Sequence, residues 1–254
     1  VRVLVGIKRV PAVAGRITLT EDASAIDTKH LGFTISPHEE CAVEESVRLL
    51  EANGGEGVVV TLGPEAAVEQ LRDALALGMA RAIHLVTDGE EWDPESTAGA
   101  LVEAIRADEA EHGAFDLILL GNESGDSADY QVAVRIGRAL GRPTVTTIKA
   151  LAVADGMVRC EQDAGGARWV FELRLPAVVA VLEGINLPRF PSVPGRLRAK
   201  SKPVAASRPV RPAQRMELRR LVVPAGATKQ AVILGTGPEA APAVVEVLKG
   251  LGLV

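Results

Sequence analysis

The sequence predicts an α/β fold: a Rossmann-like, mostly parallel sheet covered by helices, followed by a β-meander and an extended C-terminal arm that ends in a helix. Three observations carry this. Over residues 1 to about 146, short β-branched runs alternate with helical patterns, and strands linked through helices form right-handed parallel units covered on both faces. Between about 149 and 175 the helical signals give way to short strands separated by Asp155-Gly156 and Gly165-Gly166, which are turn pairs. From about Glu183 the chain becomes rich in proline, arginine and lysine.

Each element has its own local cause. Val1 to Ile7 is a β-branched run closed by Lys8, Arg9 and Pro11, the pattern of a buried strand. Arg16 to Thr20 and Ala25 to Lys29 predict a small hairpin turned around Glu21-Asp22. Pro37 opens a helix in which Cys41, Val43, Val47 and Leu50 share a stripe, with Glu39, Glu40, Glu44 and Glu45 expected mostly outside it. Acidic residues in its first turns suit the helix dipole, and Gly54-Gly55 ends it. Gly57 to Leu62 is a second buried strand, and a helix follows from about Glu65 to Leu77 with Gly78 as its stop. Ala82 to Thr87, a helix from Pro94 to about His112, and Phe115 to Leu120 continue the alternation. A helix is then expected from about Ala128 to Leu140, and a strand from Thr144 to Thr147.

Lys149 to Val153, Val158 to Gln162 and Trp169 to Leu175 form the meander, and Pro176 to Val181 is a further apolar strand. From about Glu183 to Pro212 the prolines argue against helix and central strand, so an extended surface loop and arm is expected. An amphipathic helix over about Pro238 to Leu251 ends the chain. The division expected is residues 1–182 as an α/β domain, which the resemblance described below makes nucleotide-binding, and 183–254 as a docking loop, arm and terminal helix.

Composition narrows the function. The chain has 254 residues, 47% apolar and 24% charged, with a net charge of −5; this is ordinary globular composition without the basic face of a nucleic-acid protein. Aromatics at 3% leave few rings for stacking on single strands. Two cysteines, Cys41 and Cys160, exclude a disulfide scaffold and a cysteine-only zinc site, and a reducing, cytoplasmic setting is expected. The N-terminal run lacks a signal-peptide pattern, and no stretch of about 18 uncharged apolar residues predicts a membrane span. The sequence has no GxxxxGK[ST] loop, GxSxG elbow or HExxH. His30, His38, His84 and His112 show no metal-ligand spacing.

In open parallel sheets, ligands bind beyond the carboxyl ends of the strands. Those ends are Gly6-Ile7-Lys8, Leu62-Gly63-Pro64 and Gly121 onward. Gly121 to Val132 is the strongest local candidate. A glycine- and polar-rich loop leads into a helix, where free N–H groups on Tyr130, Gln131 and Val132 would hold an anion such as phosphate. The plain alternative is an ordinary loop with Asp126 or Ser127 as a helix cap. Asp126 and Asp129 repel phosphate unless they face elsewhere. Leu234 to Pro238 has the look of a phosphate loop but lacks a third glycine in register, and reads as a turn. The Arg196 to Lys202 run beside Ile185 to Phe190 reads either as a solvated face or as a proline-stiffened docking loop for an acidic partner.

Taken together, these segments resemble the β subunit of the electron transfer flavoproteins, including their nitrogen-fixation-associated relatives. The likeness spans nearly the whole chain. It is carried by VLVGIKRV at Val3 to Val10 and SPHEECAVEESVRL at Ser36 to Leu49, then by LGPEAAVEQLRDALALGMARAIHL at Leu62 to Leu85. DLILLGNESGDSADYQV at Asp116 to Val132, the Gly165-Gly166 and LRLPAVVAV stretch to Val181, and INLPRFPSVPGRLRAKSKP at Ile185 to Pro203 complete it. The resemblance implies an electron carrier without substrate turnover of its own. Such a chain pairs with an α subunit and passes electrons from acyl-CoA and other dehydrogenases to a quinone oxidoreductase. The redox FAD would sit mainly on the α subunit, and a structural AMP in this one.

Carried over by position, the resemblance places Gly6 and Leu62 on the walls of the nucleotide pocket. Ser36, Pro37, His38 and Glu39 fall in the loop over base and ribose. Gly121, Asn122, Gly125, Asp126, Ser127, Asp129, Tyr130, Gln131 and Val132 fall in the phosphate loop. Ile185 becomes an exposed docking anchor before Asn186, Leu187, Pro188, Arg189 and Phe190. The chain also departs from the family pattern. Val13 stands where some relatives have tyrosine, Ala164 precedes the double glycine, and extra residues with the bulk of Tyr130 precede Gln131-Val132. These departures favour AMP over the second FAD of bifurcating members. A stand-alone adenine-nucleotide sensor is the alternative outside the family; it leaves the Ile185 loop and the arm unexplained. An ATP-using ligase or hydrolase lacks its phosphate-loop lysine.

Overall fold

The computed structural model describes residues 1–13, 17–223 and 232–253. In chain order, β1 is Arg2–Ile7, β2 Val10–Pro11, β3 Phe33–Thr34, α1 Pro37–Asn53, β4 Glu56–Gly63, α2 Val68–Leu77, β5 Arg81–Val86 and α3 Pro94–His112. Then come β6 Leu117–Gly121, α4 Val132–Leu140, β7 Thr144–Ile148, β8 Ala150–Ala154, β9 Met157–Asp163, β10 Arg168–Arg174, β11 Ala177–Val181, α5 Val193–Ala199, β12 Val204–Ser207 and α6 Ala241–Gly250.

The main sheet has the order β12-β5-β4-β1-β6-β11-β7, and every pairing in it is parallel. Both faces are covered, which is why β1 and β11 are near-continuous apolar runs. Val3, Val5, Val59, Leu119 and Val179 point to the face covered by α1 and α2, and Leu4, Val58, Val60, Ile118 and Val178 to the face covered by α3 and α4. From β1 the chain moves outward through β4 and β5, then returns to place β6 on the other side of β1. Strand order therefore reverses at β1, and the carboxyl ends of β1, β4 and β6 splay around a crevice. The antiparallel sheet β10-β9-β8 is the expected meander; Val158 and Cys160 join the core on the α1 side.

Several local expectations are corrected. The hairpin after residue 16 shrinks to one bridge, Leu19 to Ile26, while β2 pairs with β3; Arg16 lies outside the described residues. The helix expected from Ala128 starts at Val132, because Ala128 and Tyr130 adopt left-handed φ values of 54° and 57°. Glu39 and Glu44 are buried instead of facing out. Buried carboxylates need partners, and each has them: backbone N–H groups for Glu39, and Arg48 and Arg189 for Glu44. The proline-rich stretch does contain a helix and a strand. Pro194 sits in the first turn of α5, where the missing N–H costs nothing, and Ser192 caps it by accepting from the Gly195 N–H at 3.1 Å. β12 lies at the sheet edge beyond Pro203, where proline neighbours are tolerated. By contacts, Val1–Arg220 is one compact unit and Leu221–Val254 a second. The described part of the second contains a 3-10 turn, Gly237–Ala240, and α6, whose Val244, Val245 and Val247 are exposed.

Candidate functional site

The crevice at the strand-order reversal is a cleft of about 930 Å³, counting its open mouth. Its floor is apolar: Ile7, Val60, Leu62, Leu101 and Leu120 come from both sides of the switch point. Its polar wall is the loop between β6 and α4. A third wall is the loop after β5, which brings Thr87, Glu90, Glu91 and Trp92.

Tight packing builds the back of the site. Ser36 precedes α1, and the Glu39 carboxylate reaches back to accept from its N–H at 2.9 Å, one half of a capping box. The other Glu39 oxygen accepts from the Lys8 N–H at 2.8 Å. This single carboxylate locks the start of α1 to the end of β1. Burial pushes Glu39 up to about 8, against the opposing pull of those N–H donors and of Lys8. The Ser36 hydroxyl donates to the Glu123 carbonyl at 3.3 Å. His38 Nδ1 accepts from the Glu183 N–H at 2.9 Å, which leaves Nε2 to face Glu123 at 3.2 Å. Gly121 lets this corner close: a Cβ there would lie 2.8 Å from Glu39 Cγ and 3.0 Å from its backbone nitrogen.

The phosphate-loop candidate is a constrained turn. Asn122 accepts from the Thr147 N–H through Oδ1 at 2.9 Å and donates its own N–H to the Val181 carbonyl at 2.9 Å, which ties β6, β7 and β11 together. Ser124 and Ser127 share a hydroxyl hydrogen bond at 2.9 Å. Ala128 and Tyr130 hold left-handed conformations that cost roughly 1–2 kcal/mol each outside glycine. With Gln131 as the helix cap position, the free N–H groups shift by a turn residue or two, to the first turn from Val132.

Lys8 enters the cleft from the end of β1. Its ammonium lies 2.5 Å from Glu91, 2.9 Å from Asp126 and 3.2 Å from the Ser127 hydroxyl. Burial works against its charge, but the carboxylates of Glu91 and Asp126 outweigh that and raise its pKa. Among the described residues lining the cleft, Lys8 is the one cation; Glu39, Glu90, Glu91, Glu123 and Asp129 are acidic. No group of three or more metal-ligating side chains occurs among the described residues, and no helix there is long and apolar enough to cross a membrane.

Of the residues expected at the site, Gly6, Glu39, Leu62, Gly121, Asn122, Ser127, Asp129, Tyr130, Gln131 and Val132 line the cleft. Ser36, Pro37, His38, Gly125 and Asp126 do not line it; Ser36 and His38 hold the wall loop, and Asp126 holds Lys8. Sequence reasoning missed Lys8 as a site residue and the Thr87–Trp92 wall. Both follow carboxyl ends of strands, so the strand-end rule contained the signal.

The expected docking loop packs on α1. Asn186 Nδ2 donates to the Cys41 carbonyl at 3.0 Å and to Glu45 at 2.9 Å. Arg189 grips Glu44 at 2.9 and 3.1 Å and Glu51 at 2.6 and 2.9 Å. Ile185, expected to be exposed, is half-buried against the core, whereas Leu187 and Phe190 are 83% and 95% exposed. The reason is register: the pins at Asn186 and Arg189 draw Ile185 inward and turn its neighbours out.

The electron transfer flavoprotein domain family matches residues 24–210. The electron transfer flavoprotein subunit beta of Syntrophomonas wolfei is 36% identical over 207 residues, covering 81% of this chain and 79% of that protein. That of Bacillus subtilis is 36% identical over 192 residues, 73% of each chain. That of Bradyrhizobium diazoefficiens is 31% identical over 230 residues, 89% of this chain and 90% of that one. A match over most of the chain, to relatives themselves covered over most of their length, leaves one conclusion: the chain belongs to the electron transfer flavoprotein family.

Proposed function

We propose that this chain is the β subunit of a two-subunit electron transfer flavoprotein, that its cleft holds a structural AMP, and that its α partner carries most of the redox FAD. The observation that carries the reading is the cleft at the switch point in a chain of this family. The residues fit a mononucleotide: an apolar floor for a planar base, and Lys8, Ser124, Ser127 and the first-turn N–H groups of α4 for one phosphate. A second FAD would bring a longer diphosphate, whose second phosphate finds no further cation among the described cleft-lining residues beyond Lys8.

AMP would supply no redox chemistry; FAD, when bound on the α subunit, supplies the electron-carrying step. The work of this chain is to hold and orient. The loop pinned by Asn186 and Arg189 presents Leu187 and Phe190, and the helix that follows it in the chain leads to exposed Arg198 and Lys200; apolar and basic groups of this kind suit an acidic-rimmed apolar hollow on a dehydrogenase. Acyl-CoA and related dehydrogenases would deliver electrons, a quinone oxidoreductase would receive them, and the setting would be cytoplasmic.

Co-expression with an electron transfer flavoprotein α subunit, followed by mixing with a reduced acyl-CoA dehydrogenase, tests this reading. The expected result is a stable αβ pair whose flavin is reduced and then reoxidised by the quinone oxidoreductase. A chain that stays alone and binds ATP would instead be a nucleotide sensor.

A further inference from the structure

On the reading that the cleft holds an adenine nucleotide, we infer that Lys8 is the residue that reads the ligand's phosphate. Glu91 is the carboxylate that the phosphate displaces from it. This pair sets how strongly the cleft separates a nucleoside monophosphate from the uncharged nucleoside and from the triphosphate.

The argument starts from what holds Lys8. Its backbone is fixed by Glu39, so the side chain leaves the sheet at a set place. An ammonium has three donor directions, and three partners take them: Asp126, Ser127 and Glu91. These partners are not equivalent. Asp126 is only 19% exposed and also accepts the Ser127 N–H at 2.8 Å, so it belongs to the loop's own framework. Glu91 reaches Lys8 from the facing wall with its side chain 60% exposed, and water can satisfy it once released.

The position is right for a phosphate. Lys8 bonds to Asp126 and Ser127 in the loop that leads into α4, and Lys8, Ser127, Val132 and Ala133 line the same cleft. A phosphate dianion carries more charge than one carboxylate and forms strong charge-assisted bonds with a lysine. Displacing Glu91 does not undo its loop. The Glu91 carbonyl accepts from Arg211 Nη2 at 2.6 Å and from Gln214 Nε2 at 2.8 Å, and Glu90 pairs with Arg211 at 2.7 Å. The wall stays in place while one carboxylate swings away.

The limit on phosphate number follows from the charge count. Lys8 is the one cation among the described cleft-lining residues, against Glu90, Glu91, Glu123 and Asp129. The first phosphate meets Lys8 and the α4 amides. Each further phosphate adds negative charge against the acidic rim without a new counter-charge.

The test uses the αβ complex stripped of nucleotide and titrated calorimetrically with adenosine, AMP and ATP. Lys8→Gln is expected to weaken AMP by about 10- to 100-fold while adenosine changes by less than about threefold, and Lys8→Arg recovers most of the loss. Glu91→Gln is expected to leave AMP unchanged or tighter and to narrow the preference over ATP. If Lys8 and Glu91 merely tie two loops together, both Gln variants weaken AMP and adenosine alike, which overturns the assignment. Glu91→Gln carries this test even where Lys8→Gln folds poorly. A wild-type complex that binds none of the three ligands removes the nucleotide reading and the inference with it.

Discussion

Gly121 shows how much one missing methyl group decides. Its backbone conformation needs no glycine; the close approach of Glu39 and His38 does. The α1 amino end can sit against the end of β6 only because nothing projects there, and that contact forms the back wall of the cleft. Gly121→Ala is expected to destabilise the chain by about 1–3 kcal/mol through overpacking, seen as a lower urea midpoint, and to reduce retained nucleotide. An unchanged midpoint would mean that α1 is not held at this corner. Legibility at this scale was uneven. Gly121 could be placed at a strand end from the sequence. The burial of Glu39 and Glu44 could not, since helix spacing puts charges outward by default. Glu44 is drawn inward by Arg189, 145 residues along the chain, and Glu39 by the Lys8 N–H, 31 residues before it. Local spacing carries neither partner.

At the scale of elements, strands and helices with strong periodicity were readable nearly to their ends, as α1 and α3 show, because glycine and proline mark their limits. The failures were elements decided by tertiary context. α5 and β12 arise in a segment dense in proline because its prolines fall at a first helical turn and beside an edge strand. The late start of α4 follows from left-handed residues that no composition rule singles out. The loop proposed for docking belongs to this scale too. Its shape depends on Arg189, whose pairs with Glu44 and Glu51 hold it on α1. Arg189→Ala is expected to loosen the presentation of Leu187 and Phe190. That raises the apparent KM for a partner dehydrogenase by roughly 2- to 10-fold, as expected for the cost of reordering one or two side chains, at constant flavin content. Steady-state reduction at varied complex concentration reads this; an unchanged KM would remove the loop from the docking surface.

At the scale of the whole molecule, the reversal of strand order at β1 organises everything else. It opens a crevice between the ends of β1, β4 and β6, and brings the loops after β5 and β6 to face each other across it. The alternation of strands and helices foretold the parallel sheet and the strand ends around which the cleft opens. The insertion of β11 between β6 and β7, after a three-stranded meander, was not readable, because register between distant strands leaves no local trace. The central claim is that this crevice holds one mononucleotide in a chain that works as half of a flavoprotein. The most direct measurement is to denature the purified αβ complex, then identify and count what is released by chromatography and mass spectrometry. The account predicts one AMP and one FAD per pair; two FAD and no AMP would contradict it and make the cleft the seat of a second redox centre.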